Sequence, residues 1–211
     1  MENLRLILAS SSPRRKELLE KLGLPFQVRQ PPKTAELPLS SGKDFLRELS
    51  QVAVRKALSV ANSTENEVIL SADTIVEIDG RLLGKPVSPM DALKMLQQLR
   101  GKWHQVHTAV CVYHPDQNIL KTHVETTRVK MGNLSDALLN WYVETGEPMD
   151  KAGAYAIQGY GALLIEKVEG CFFNVVGLPL YQVYQMLTSV APTLLLESQS
   201  ISPSGGKRLT R

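Results

Sequence analysis

Two β-prone runs, 103–113 and 119–131, are separated only by the short polar stretch Pro115-Asp116-Gln117-Asn118. That spacing constrains the fold more than any other feature of the chain. Parallel neighbours need a crossover of roughly a dozen residues or more, so a connection this short makes the two runs an antiparallel hairpin. Asp79-Gly80, between the strand signal over 68–78 and Arg81-Leu82-Leu83, marks a second hairpin. Further strands are predicted over 4–9, 26–29, 162–168 and 172–176, with loops over 30–40 and 146–161. Helical patterns lie between them. One follows Ser12 as N-cap and Pro13 at the first position, and ends at Gly23. A long one runs to Asn62 from a capping-box pair, Ser41 and Asp44. Others span 88–101, 135–144 and 179–187. Hairpins interleaved with helices exclude a purely parallel doubly wound sheet. The fold class is therefore mixed α/β, a twisted mixed β-sheet flanked by helices in two lobes with a cleft between them.

The chain has 211 residues, 43% of them hydrophobic and 21% charged, enough to bury a proper core. A net charge of +3 and 6% aromatic residues are too little for a groove that tracks phosphates and stacks bases, so no nucleic-acid partner is expected. No apolar run could span a membrane, and the first residues, Met1 to Arg5, lack a signal-peptide core. Cys111 and Cys171 are isolated in apolar segments and read as free thiols. Together these features point to a cytoplasmic protein. The Asn62-Ser63-Thr64 sequon is formal only. From residue 191 the chain is Ser- and Gly-bearing and basic at its end, so 1–190 is expected to form the domain and 191–211 a disordered tail.

The chemistry concentrates in five places. Ser10-Ser11-Ser12-Pro13-Arg14-Arg15 puts hydroxyls and guanidinium groups on the first turn of a helix, where free N–H groups and a partial positive charge favour an anion. Taken alone, the same stretch reads equally well as a serine cap with solvated arginines. Lys56 falls on the apolar stripe Phe45, Leu49, Val52 and Val60, so it snorkels or faces a polar cleft. Asp73 interrupts an apolar strand and needs a lysine or a cation beside it. Lys85, in Gly84-Lys85-Pro86, lacks the rest of a Walker A loop and is a weak signal by itself. In the stretch from Asp150 to Gly161, glycines and alanines permit a close backbone approach, and Gln158 offers the donor and acceptor that reading a base edge requires. Gly159-Tyr160-Gly161 is not a dinucleotide fingerprint. His104, His107, His114 and His123 lack zinc-ligand spacing, and no G-x-S-x-G elbow is present. A cationic, hydroxylic inventory with one acid and one amide reader suits a polyphosphate that carries a base. The carboxylate would hold a metal or activate water.

In order along the chain, "LASSSPRRKELL", "VRKA", "SADTIV", "GKP", "LRGKWHQVHTAV", "EPMDKAGAYAIQG" and "VVGLPL" resemble the Maf family of nucleotide pyrophosphatases, relatives of the inosine-triphosphate pyrophosphatase fold. The resemblance covers 4–187. It implies hydrolysis of a nucleoside triphosphate to the monophosphate and pyrophosphate with a divalent cation, Mg or Mn. It also implies Asp73 as catalytic carboxylate, Lys56 and Lys85 beside the phosphates, and Ser10, Ser12, Arg14, Arg15 and Lys151 as substrate contacts. Arg14, Thr74 and Gln158 match the positions linked to specificity in the branch acting on dTTP and UTP; a sister branch acts on 7-methyl-GTP. The resemblance further suggests clearance of modified nucleotides, a link to arrest of septum formation, and homodimers. The chain departs from the family pattern at Ser71, where glycine is usual, and in a longer loop bearing Pro31-Pro32-Lys33. Glu36 in that loop is the candidate second metal ligand beside Asp73. A non-enzymatic nucleotide-binding regulator of division is the rival reading, but it gives no reason for an acid among lysines.

Overall fold

The computed structural model describes residues 4–36, 39, 44–62 and 66–199. In chain order its elements are β1 (Arg5–Ala9), α1 (Pro13–Glu20), β2 (Phe26–Val28), α2 (Phe45–Val60), β3 (Glu67–Ile78), β4 (Arg81–Leu83) and α3 (Pro89–Leu99). There follow β5 (Trp103–His114), β6 (Ile119–Met131), α4 (Asp136–Glu144), β7 (Ile165–Glu169), α5 (Phe172–Val176), α6 (Leu180–Val190) and α7 (Pro192–Gln199). The seven strands form one mixed sheet in the order β2-β1-β3-β5-β6-β7, with β4 beside β3. β1 runs parallel to β2 and β3; all other pairings are antiparallel. The long hairpin forms as its short connection requires, from Trp103 opposite Lys130 to His114 opposite Ile119. Asp79 and Gly80 both take positive φ, 51° and 76°, the geometry of a tight two-residue hairpin turn.

One edge of β3 is broken, and the break places the site. β1 pairs with β3 as far as Ala9 opposite Ser71, and β4 takes over only at Leu83 opposite Val76. Among the described residues, 72–75 thus have no strand beside them on that edge, whereas β5 pairs with them on the other. The chain leaves β1 into the serine–arginine turn and leaves β4 into Gly84-Lys85, so both segments end at this notch. Divergence of neighbouring chains at strand ends is the general setting for a ligand crevice.

The alternation of side chains along β1, β3 and β5 separates the cores. Ile7, Ile69 and Cys111 face Leu49, Ala53 and Ala57 of α2. On the opposite face, Leu8, Leu70 and Val112 pack with Leu18, Leu187 and Leu194 of α1, α6 and α7. Val76, Val106 and Val129 instead pack with Leu96 and Leu139 of α3 and α4. These two cores form the two lobes, and the cleft opens where they part. Burying each of these valines, leucines and isoleucines stabilises the fold by about 1.5–3 kcal/mol.

Several expectations are corrected. Residues 172–176 form α5 rather than a strand, because Asn174 buries its amide on Val106 O (3.0 Å) and Thr127 Oγ1 (2.9 Å), and Gly177 closes the turn at φ 119°. The tail expected from 191 is instead helical over Pro192–Gln199, where Leu194 and Leu195 join the first lobe's core; 200–211 lie outside the described residues. Ser12 stands at the N-cap of α1, but its side chain makes no capping bond, unlike Ser88 and Ser135, which accept from Asp91 N and Leu138 N. Ser41, half of the proposed capping box, lies outside the described residues. Residues 162–164 belong to a 3₁₀ turn that precedes β7. Cys111 and Cys171 are free thiols. Among the described residues no helix is long and apolar enough to cross a membrane.

Candidate active site

A cavity of about 580 Å³ opens at the notch, a volume suited to a nucleotide-sized ligand. All the residues singled out from the sequence line it: Ser10, Ser12, Arg14, Arg15, Glu36, Lys56, Asp73, Thr74, Lys85, Lys151 and Gln158. They come from the turn after β1, α1, the loop between β2 and α2, α2, β3, the turn after β4, and the loop between α4 and β7.

Its charged centre is Lys56. The residue is 3% exposed, so its ammonium needs partners, and it finds Asp73 Oδ1 at 2.6 Å and Glu36 Oε1 at 2.7 Å. The stripe position on α2 therefore aims the chain into the cleft rather than outward. Asp73 is half-buried, not buried as its apolar flanks suggest, because the missing strand leaves it open to the cavity. Glu36 sits just past a 3₁₀ turn at Lys33–Ala35, which folds the longer loop back toward α2. Burial alone would raise its carboxyl pKa, but the bond from Lys56 and the charges of Lys56, Lys85 and Arg15 outweigh this and hold it below the usual range. The second oxygens of both carboxylates have no partner among the described residues. No group of three or more His, Cys, Asp or Glu is assembled among those residues. Two hard carboxylates beside an open cavity match the way Mg²⁺ is usually held, with waters and substrate phosphates completing the shell.

The N-terminus of α1 forms a second wall. It has no side-chain cap and no acid in its first turn, so its N–H groups and dipole remain available to an anion. The two arginines divide their roles. Arg15 is buried, with Nε on Gly177 O (2.9 Å) and Nη2 on Thr74 Oγ1 (3.0 Å), so it ties α1 to β3 and to the turn after α5. Burial pulls its pKa down, opposed by the charge of Asp73. Thr74 also shares a bond with Thr108 Oγ1 (2.9 Å), which leaves its hydroxyl in a network on the cavity floor. Arg14 is more open and reaches across the cleft to Asp150 Oδ2 (2.9 Å). The Lys151 ammonium is held by Asp150 Oδ1 and Glu147 O, both at 2.6 Å. Lys85 and Gln158 are exposed at the lip. Asp150, Thr108 and Gly177 each fall inside a quoted motif, but nothing in the sequence pairs Asp150 with Arg14, or Gly177 and Thr108 with Arg15 and Thr74.

The Maf-like protein family model matches residues 5–190. The chain belongs to this family. Among curated relatives, a dTTP/UTP pyrophosphatase of Symbiobacterium thermophilum is 47% identical over 184 residues, which is 87% of this chain and 93% of the relative. The enzyme of that name from Aquifex aeolicus is 44% identical over 87% of this chain and 94% of its own. That from Caldicellulosiruptor bescii is 40% identical over 90% and 97%. Among solved structures, a HAM1 protein from Coxiella burnetii aligns over 89% of this chain and 100% of its own, with 15% identity and a TM-score of 0.48. The Maf-like match stops at residue 190, so α7 lies beyond it.

Proposed function

We propose that this Maf-like protein hydrolyses dTTP and UTP to the nucleoside monophosphate and pyrophosphate. The observation that carries the reading is Lys56, buried and clamped between Asp73 and Glu36 at the wall of a nucleotide-sized cavity. Its relatives named dTTP/UTP pyrophosphatase support the choice of substrate. Water attacks the α-phosphorus, Asp73 accepts the water's proton, and the bond from the α-phosphorus to the bridging oxygen breaks as pyrophosphate leaves. Lys56 holds Asp73 in its orientation at 2.6 Å, and Lys85 and the α1 N-terminus neutralise the charge gathering on the leaving group. Ser10, Ser12 and Arg15 shape the phosphate wall, and Lys151 secures the turn behind Arg14. A divalent cation bound by Asp73 and Glu36 would polarise the phosphoryl oxygens. Arg14, Thr74 and Gln158 set the base preference.

Pyrophosphate release from UTP, dTTP, 7-methyl-GTP and ITP with Mg²⁺ or Mn²⁺ tests the reading. Turnover of UTP and dTTP well above the purines is expected. Turnover of 7-methyl-GTP alone moves the protein to the sister branch, and silence across the panel favours a binding regulator.

A further inference from the structure

Gln158 is exposed and lies in a stretch without regular hydrogen bonding, yet base reading needs its amide held in one place. The hold comes from Glu147, which does not line the cavity. Its Oε1 accepts from Gly161 N (2.9 Å) and from the Tyr142 hydroxyl (2.9 Å), and its Oε2 accepts from Tyr160 N (3.0 Å). The Tyr142 hydroxyl in turn accepts from Ala156 N (3.1 Å). One carboxylate and one phenol thus pin the backbone on both sides of Gln158. The glycines here serve this pin. Gly159 takes φ +67°, and a Cβ on it would run into Glu147 Oε2. A Cβ on Gly161 would meet Ala156 O. Burial pushes the Tyr142 phenol pKa up, with the Ala156 bond opposing, so the hydroxyl keeps the proton it donates.

Resting on the function proposed above, we propose that Glu147 is a positioning residue for base selection, fixing the backbone of 156–161 so that Gln158 presents its amide to the pyrimidine. It acts only through that loop.

The test uses the full chain with Mg²⁺ and compares wild type, Glu147→Gln, Gln158→Ala and the double variant on UTP and ITP. A carboxamide accepts at one end only and turns a donor toward the other, so Glu147→Gln breaks the pin at nearly unchanged volume. The expected result is a UTP-to-ITP ratio of kcat/KM lowered about tenfold, the worth of one charge-assisted hydrogen bond, with the loss in KM and kcat within about threefold. In the Gln158→Ala background the same change leaves the ratio where it is. An unaltered ratio in Glu147→Gln, or effects that multiply in the double variant, overturns the proposal. Hydrogen exchange gives a second readout independent of turnover. Tyr160 and Gly161 amides exchange faster in Glu147→Gln, and the Ala156 amide in Tyr142→Phe, while β3 amides keep their rates. Unchanged loop rates overturn the pin even if wild type hydrolyses none of the panel, a silence that by itself counts against the pyrophosphatase reading alone.

Discussion

The two ends of the cavity are built differently. At the phosphate end the central groups sit on regular elements, Lys56 on α2, Asp73 on β3 and the amides of α1 itself, with Glu36 and Lys85 joining them from adjoining loops. At the base end there is no strand or helix between Glu144 and Ile165, only 3₁₀ turns at Glu147–Asp150, Ala152–Ala154 and Gly159–Leu164, held by side chains. Charge stabilisation tolerates little displacement and benefits from stiff supports, whereas recognition can vary if a loop carries it. Arg14 and Asp150 join the two ends across the cleft.

Asp73→Asn should break the phosphate end most severely. We expect kcat to fall by about 10²–10⁴-fold, the usual worth of a general base, with UTP affinity by calorimetry within about threefold. A matching loss of affinity would mean that the two ends do not divide the work. Acid should loosen the base end. His104 Nε2 shares a hydrogen with the Tyr155 hydroxyl (2.7 Å), anchoring the irregular loop on β5, and burial pushes the His104 imidazole down to about 4. The unfolded chain takes up that proton near pH 6.5, so the contribution is full above that pH and is lost as pH falls toward about 4. It amounts to roughly 3 kcal/mol. Urea unfolding across that window should show the slope, and His104→Gln should flatten it; an identical slope in the variant would remove this anchor from the comparison. Gln158→Ala should lower the UTP-to-ITP ratio of kcat/KM about tenfold and leave kcat within about threefold. A fall in kcat equal to the fall in the ratio would place Gln158 at the phosphate end. Ser88→Ala touches neither end. Loss of this cap on α3 should cost about 1 kcal/mol in thermal unfolding without moving the ratio. A shifted ratio would show that α3 couples the two.

Reading the sequence worked best where a residue contradicted its surroundings. A lysine on an apolar helix stripe and an acid inside an apolar strand each demanded a partner, and each supplied it for the other. Hairpins with short connections were equally legible, because turn geometry is local. The helix α5 was not: Phe172-Phe173-Asn174-Val175-Val176 has strand propensity, and only the buried Asn174 amide, bonding to β5 and β6, overrides it. For α7 the Ser- and Gly-bearing composition farther on masked Pro192 at a helix start and two leucines with a core to meet. Glu147 stands in a quoted motif, but its positioning role is not legible there, because two of its three partners are backbone amides, which have no sequence signature.

The broken edge of β3 also bears on how the molecule comes together. β5 and β6 can zip from their own turn, but β1 must find β3 with Leu6 beside Val68, after the whole of α2 has been threaded between them. Pairings of long sequence separation form late. The walls of the cavity reach further still, from Ser10 to Gly177. A nascent or partly collapsed chain therefore has no half-made pocket with which to capture nucleotide, and ligand protection against proteolysis should appear in one step with the last parallel pairing.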